Sequence, residues 1–324
     1  MSWHRRLAPL AVLVGLASAP AAAPAQKAGE SLPPGPPYRV LAQDKGHLAI
    51  VGPDGKVEWE VPVRHNAHDL QVLANGNILV GTDSTTVVEM TPAKQVAWTY
   101  KAKPTAGNKG RVEIHAFQRL DDGRTMIAES GNRRIVEVDA DGKVVKEVPL
   151  KVDHPDPHRD TRRARKLANG HYLVCHEGDG TIREYDDTGT VVWSYTLELG
   201  DRPRTGGHDG HGVEVYNALR KPNGNTLIAG GNNNRVFEVD PAGKVVWSVE
   251  HDELPGIELR WVTTLMLKPD GNVVFGNTHA GPENPQLVEV TPAKKVVWTM
   301  RDFATFGNDV ASAVILNPGD GVIR

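Results

Sequence analysis

The chain has 324 residues, 39% of them hydrophobic and 24% charged, an ordinary globular composition with ample material for one large core. A formal charge of −3 argues against a nucleic-acid surface, and no nucleic-acid partner is expected. The single cysteine, Cys175, excludes an internal disulfide.

At the N-terminus, Arg5 and Arg6 precede an apolar run from Leu7 to about Ala17 and the small-residue stretch Ala21 to Ala25. This is the pattern of a secretory signal peptide over residues 1–25, with Ala23-Pro24-Ala25 as the cleavage site and a mature start near Gln26. The run is shorter than the ~20 residues of a spanning helix, so no membrane span is expected after its removal. Residues 1–25 hold no acid, so losing Arg5 and Arg6 takes the charge to −5. A periplasmic or secreted protein is expected, without a lipid anchor because Cys175 lies far from the cleavage point. Residues 26–37 (QKAGESLPPGPP) read as a linker, and residues 38–324 as one repeat domain.

Within that domain one half-unit is a strand, an Asn-Gly or Asp-Gly turn and a second apolar strand, as in LQVLANGNILVG from Leu70. Its turn glycines are Gly76, Gly123, Gly170, Gly224, Gly271 and Gly319, spaced 47, 47, 54, 47 and 48 residues apart. The other half-unit is an alternating strand, a turn and a last strand bearing Trp59, Trp98, Trp193, Trp247 or Trp298, with Lys146 in the remaining copy. A large side chain recurring once per unit reads as packing between units. Four strands per 45 to 54 residues is the period of a β-propeller. The two half-units are out of phase at the chain ends. The N-terminus starts without an inner strand, and the C-terminus stops on one. Residues 308–323 therefore supply the centre of a composite blade and residues 38–61 its outside, which removes open sheet edges. The expected fold is all-β, a six-bladed β-propeller whose N- and C-terminal strands share the closing blade.

The repeat D-x-x-G-K-V-V-W, as in Asp240 to Trp247, resembles that of quinoprotein-like (PQQ-like) β-propellers. The segment His68 to Gly81 (HDLQVLANGNILVG) resembles the inner-strand motif of bacterial arylsulfotransferases, with a partial copy from His115. That resemblance implies an exported six-bladed propeller. It also implies group transfer in which His68, His115 or His211 serves as nucleophile or acid/base and Arg162 holds an anion.

Inner strands line the channel of a propeller, so residues aligned on the turn glycines share a depth. Eight residues before each glycine stand His68, His115, Arg162, Tyr216, Thr263 and Ala311; ten before stand Asn66, Glu113, Asp160, Glu214, Trp261 and Asp309. Polar groups crowd the first four blades, a lopsided ring with the character of a site. Histidines cluster in the same loops (His65, His68, His115, His154, His158, His208, His211), with His279 in a later one. The catalytic candidates are His68, His115 and His211, and the ligand-binding candidates are Arg162, Glu113, Asp160, Tyr216 and Arg260.

Arginines at 159, 162, 163, 165, 202 and 204 read either as an anion site or as salt-bridge partners of Asp153, Asp156, Asp160 and Asp201. No metal-ligand set is expected, because His65-x-x-His68 and His208-x-x-His211 do not have recognised zinc or calcium spacing. The sequence names no cofactor: there is no Walker loop, nucleophile elbow or dinucleotide fingerprint. Cys175, after HYLV, reads as a small core hydrophobe. The leading expectation is a monomeric binding module whose channel mouth takes a small anionic ligand or a protein partner. The alternatives are an arylsulfotransferase-like enzyme and, less favoured, a lyase or hydrolase acting on anionic sugars.

Overall fold

A computed structural model describes residues 38–198, 215–231, 234–316 and 322–324. The expected signal peptide and linker, His208, His211, Arg202, Arg204, Glu214 and Gly319 lie outside these. The described residues form six four-stranded antiparallel sheets. Blades 1 to 5 occupy residues 70–101, 113–149, 163–196, 217–249 and 261–300. Blade 6 is composite: its inner strand, Ala313–Ile315, pairs with Val40–Asp44 from the other end of the chain. That strand is shorter than the residues 308–323 expected for the centre of the blade, and Ile323 exchanges backbone hydrogen bonds with Leu267 of blade 5.

The middle strands read as continuous apolar runs (ILVG, TVVEM, RIVEV) because both of their faces are covered. Alternate residues of one blade go to opposite neighbours. Ile78, Val80 and Val88 pack against blade 6, while Leu79 and Val87 pack against blade 2. Among the described residues each seam between adjacent blades accordingly holds its own apolar cluster, six in all. Cys175 belongs to the seam between blades 3 and 4 at 1% exposure, and burial pushes its thiol up.

Two further devices repeat. In every blade the register shifts in the third strand, at Ile50/Val51, Glu89/Met90, Glu137/Val138, Glu184/Tyr185, Glu238/Val239 and Glu289/Val290. A bulge at this point twists the exposed outer strand away from edge-to-edge pairing. The Trp positions staple seams, as their recurrence implies. Trp59, Trp193 and Trp247 donate their indole N–H to the carbonyls of Pro92, Pro241 and Pro292 in the following blade, at 2.9, 3.0 and 2.9 Å.

Candidate functional site in the central channel

The residues eight before the turn glycines converge, one from each blade. His115 and Arg162 are 2% and 0% exposed, Tyr216 and Ala311 1% and 3%, and His68 is partly exposed. The His68 and His115 rings meet edge to face with centroids 4.8 Å apart. Tyr216, from blade 4, reaches blade 1 opposite it and places its hydroxyl 2.9 Å from His68 Nδ1. Tyr216, Trp261 and Ala311 form a small apolar cluster on the other side of the channel. Side chains therefore fill the channel at this depth.

Hydrogen-bond chemistry fixes the state of His68. Arg162 Nη1 lies 3.2 Å from His68 Nε2. A guanidinium only donates, so Nε2 accepts and Nδ1 carries the proton. His68 Nδ1–H then donates to Tyr216, whose own hydrogen is left for another acceptor. Burial and next the charge of Arg162 hold the His68 pKa well below the usual 6.5, so the ring is neutral at neutral pH. Arg162 also donates from Nε to Glu177, itself fully buried, so its charge is matched inside the protein.

His115 sits on a β-bulge: Ile114 and Ala116 have partners in the neighbouring strand, while His115 between them has none. Such bulges re-aim side chains. Here the ring lies between Thr161 O, 2.9 Å from Nδ1, and Glu113 Oε2, 3.0 Å from Nε2. The carbonyl only accepts, so Nδ1 is the protonated nitrogen. Burial and then Arg162 lower the His115 pKa. Burial raises that of Glu113, but its close contacts with His115 and His158 outweigh burial and hold its carboxyl well below the usual range. His158, from the loop after blade 2, places Nδ1 2.8 Å from the same Glu113 oxygen.

That loop is held by Asp160, which accepts from the backbone N–H groups of Asp156 and Gly131 at 2.7 and 2.9 Å. Gly131 is required there. Its φ is +82°, and a Cβ would stand 2.3 Å from Arg111 O. Asp160 is thus a buried positioning residue. Arg260 pairs with Glu258 at 2.7 Å on a half-exposed side chain and is not brought to the His68 cluster by that pairing.

The remaining arginines answer the choice left by the sequence. Arg163 and Arg165 both pair with the buried Asp69, Arg165 at 2.7 Å, and Arg159 pairs with Asp156 at 3.1 Å. These are internal salt bridges, to acids mostly other than those nearby in sequence. At the next level, Asn66 and His279 both hydrogen-bond Asp309, the latter at 2.8 Å, and the His279 ring lies 4.9 Å from Trp261. Three participants escaped sequence reasoning: Glu177, His158 in its bridging role, and the Thr161 carbonyl. His158 carried a signal as one of the clustered loop histidines. Glu177 and Thr161 carried none. A cavity of about 470 Å³ lies elsewhere, between the turns of blades 2 and 3, lined by Asp121, Asp122, Lys166 and neighbours.

Among solved structures, a protein of unknown function from Bacteroides caccae matches with a TM-score of 0.71 and 23% identity, covering 86% of this chain and 98% of its own. A streptogramin B lyase matches at TM-score 0.54 and 12% identity, covering 84% of this chain and 85% of that one. The WD40 β-propeller domain of Doa1 matches at 0.54 and 16%, covering 78% and 73%. At these identities the likeness is one of fold. No curated protein matches. A family model does: PQQ_2, described as outer membrane protein assembly factor BamB, matches residues 113–313, more than half of the chain, and the chain belongs to this family.

Proposed function

We propose that this protein is an exported binding module that holds a small anionic ligand at the mouth of its channel, where His65, His68 and His158 are partly exposed. One observation carries the reading: the Tyr216–His68 hydrogen bond joins opposite blades and gives the channel a floor. Above that floor stand the partly exposed rings of His65, His68 and His158, and within it the Tyr216 hydroxyl retains a hydrogen to donate. Polar side chains over a closed floor are the form of a small-ligand site.

The same geometry favours binding over group transfer. A nucleophilic imidazole needs a lone pair open to the substrate, whereas His68 Nε2 is capped by Arg162 and both His115 nitrogens are engaged. His211, the third catalytic candidate, lies outside the described residues. Export rests on the signal pattern and is compatible with the family; no helix among the described residues is long and apolar enough to cross a membrane. Membership of a family described as an assembly factor favours a protein partner as the second reading.

Titration with sulfate and with 4-nitrophenyl sulfate, followed by imidazole NMR, tests the proposal. A binding module shifts the His65, His68 and His158 resonances and releases no nitrophenol. Nitrophenol released in the presence of a phenol acceptor would replace this reading by the transferase one. Unmoved resonances with both ligands would remove the anion site.

A further inference from the structure

The geometry points to a binding site for one divalent first-row transition-metal ion at Glu113, His115 and His158. It goes beyond the ligand-binding role and does not depend on it, since three protein donors hold a metal whether or not a second ligand arrives.

Glu113 Oε2 lies 3.0 Å from His115 Nε2 and 2.8 Å from His158 Nδ1, and the three residues offer ligand atoms all within 4.8 Å of one another. Donors that share a metal at about 2.0–2.2 Å stand roughly 3 Å apart, so this spacing closes on one ion with little movement. The orientation is also that of a metal-ligand histidine. Thr161 O takes the Nδ1 proton of His115 at 2.9 Å, which aims the Nε2 lone pair at the Glu113 carboxylate. Two electron-rich atoms at 3.0 Å require a positive species between them, a proton or a cation.

The surroundings build the site instead of merely permitting it. Arg111 Nε holds the other carboxylate oxygen, Oε1, at 2.9 Å and so fixes the rotation of Glu113. His158 is brought over blade 2 by a chain of backbone contacts: its N–H donates to Asp156 Oδ1 at 2.9 Å, and Asp156 N–H donates to Asp160. Glu113 and His115 are buried while His158 is partly exposed, so the triad is enclosed on the protein side and reachable from the channel mouth. Three protein donors with an accessible face is the arrangement of an open rather than a closed metal site. Two imidazoles and one carboxylate favour zinc, cobalt or iron(II) over magnesium and calcium, which prefer all-oxygen sets. Besides Arg111, a second cation, Arg162, stands 3.5 Å from His158 Nε2 with its charge answered by Glu177; in the metal-free protein His158 Nδ1 therefore carries the proton given to Glu113, and it must release that proton as the ion binds.

The test uses the tag-free full chain, stripped with EDTA, dialysed, and titrated with Co²⁺ by visible absorption and with Zn²⁺ by calorimetry. The expected result is saturable binding of one equivalent, weakened at least tenfold by Glu113→Gln and by His158→Ala. His158 is a partly exposed loop residue, so His158→Ala should keep the melting temperature of the metal-free protein and read binding without a folding defect. Absence of one-equivalent binding to the intact chain would overturn the inference. So would a loss of less than tenfold in folded His158→Ala protein, which would place the metal on other histidines.

Discussion

The seams between blades and the ring across the channel are built on the same strands, yet they use the repeat in opposite ways. In three of the seams, equivalent residues make equivalent ion pairs. The glutamate of the third strand accepts from a cation of the following blade at Glu89–Arg119 (2.8 Å), Glu137–Lys166 (2.5 Å) and Glu184–Arg220 (2.7 Å). Glu289 takes the Tyr38 hydroxyl across the next-to-last seam at 2.8 Å. Across the channel, one register holds His68, His115, Arg162, Tyr216, Thr263 and Ala311, six positions with six different side chains. Uniformity stabilises and difference gives chemistry: a repeat can only build a site where it stops repeating.

The largest expected effect breaks both regions at once. Deleting residues 308–324 removes Ala313–Ile315, whose members pack into the seams on both sides of blade 6, together with Ala311 of the ring. The domain should lose its single cooperative melting transition by circular dichroism. A truncated protein with an unchanged melting temperature would show that blade 6 closes without its inner strand.

Glu137→Ala attacks a seam together with one pair inside blade 2. Glu137 is fully buried, accepts across the seam from Lys166 and from the Tyr172 hydroxyl at 2.6 Å, and pairs with Arg124 of its own blade at 2.6 Å. Removing it should cost about 3 kcal/mol in urea denaturation, the low end for a buried pair, because Lys166 can still reach water. Glu238 is the comparison, since its cation, Lys221, belongs to its own blade. Glu238→Ala should cost about 1 kcal/mol. Equal losses would show that crossing the seam adds nothing.

Acid tests the channel side. His176 is fully buried, bonded to Asp160 O and to Tyr185, and burial followed by the Arg183 charge lowers its pKa from 6.5 to about 4. The unfolded chain therefore binds this proton near 6.5 and the folded chain only near 4. Stability is fully present above 6.5 and falls as the pH drops from 6.5 to 4, by up to roughly 3 kcal/mol at 1.36 kcal/mol per pH unit. His176→Gln should remove that part of the slope in urea titrations at pH 7 and pH 4.5. An unchanged slope would assign the acid sensitivity to other groups. Within the ring itself, Tyr216→Phe should cost about 1 kcal/mol by losing one hydrogen bond. No loss would mean that the channel floor does not depend on the Tyr216–His68 contact.

What was legible in the sequence divides along the same line. Turn glycines and Trp positions repeat, so the blade count, the composite blade and the packing role of Trp59 or Trp193 could be read directly. The register argument also placed His68, His115 and Arg162 together, because equal distance from a turn means equal depth. Partners without a fixed spacing were not legible. His158 reaches Glu113 from a loop 45 residues later, and Glu177 meets Arg162 from the hairpin turn of the same blade. Asp160 shares a register with Glu113, as a ligand-facing acid would, but its carboxylate turns to the backbone N–H groups of Asp156 in its own loop and of Gly131 in a hairpin turn of blade 2. The seam glutamates recur at one position of the third strand, yet nothing local tells which blade holds their cations.

The smallest effect sharpens the account of the seams. Trp59 and Trp98 hold equivalent positions in successive blades, but the next blade offers Trp59 the Pro92 carbonyl at 2.9 Å, while Trp98 Nε1 is buried without a hydrogen-bond partner. The turn facing Trp98 is Asp139-Ala140-Asp141-Gly142, with Ala140 at the position of Pro92. Replacing either Trp by Phe loses a similar apolar area, so area cancels in the comparison. Trp59→Phe additionally loses a bond of about 1 kcal/mol, whereas Trp98→Phe removes an unsatisfied donor. Against this, Trp98→Phe weakens the contact of the Arg119 guanidinium, 5.2 Å from the ring, by a fraction of a kcal/mol. Trp59→Phe should therefore be the more destabilising by about 1 kcal/mol in urea denaturation. If the two variants lose the same stability, the indole-to-proline bond contributes nothing, and the recurrence of Trp reflects ring packing alone.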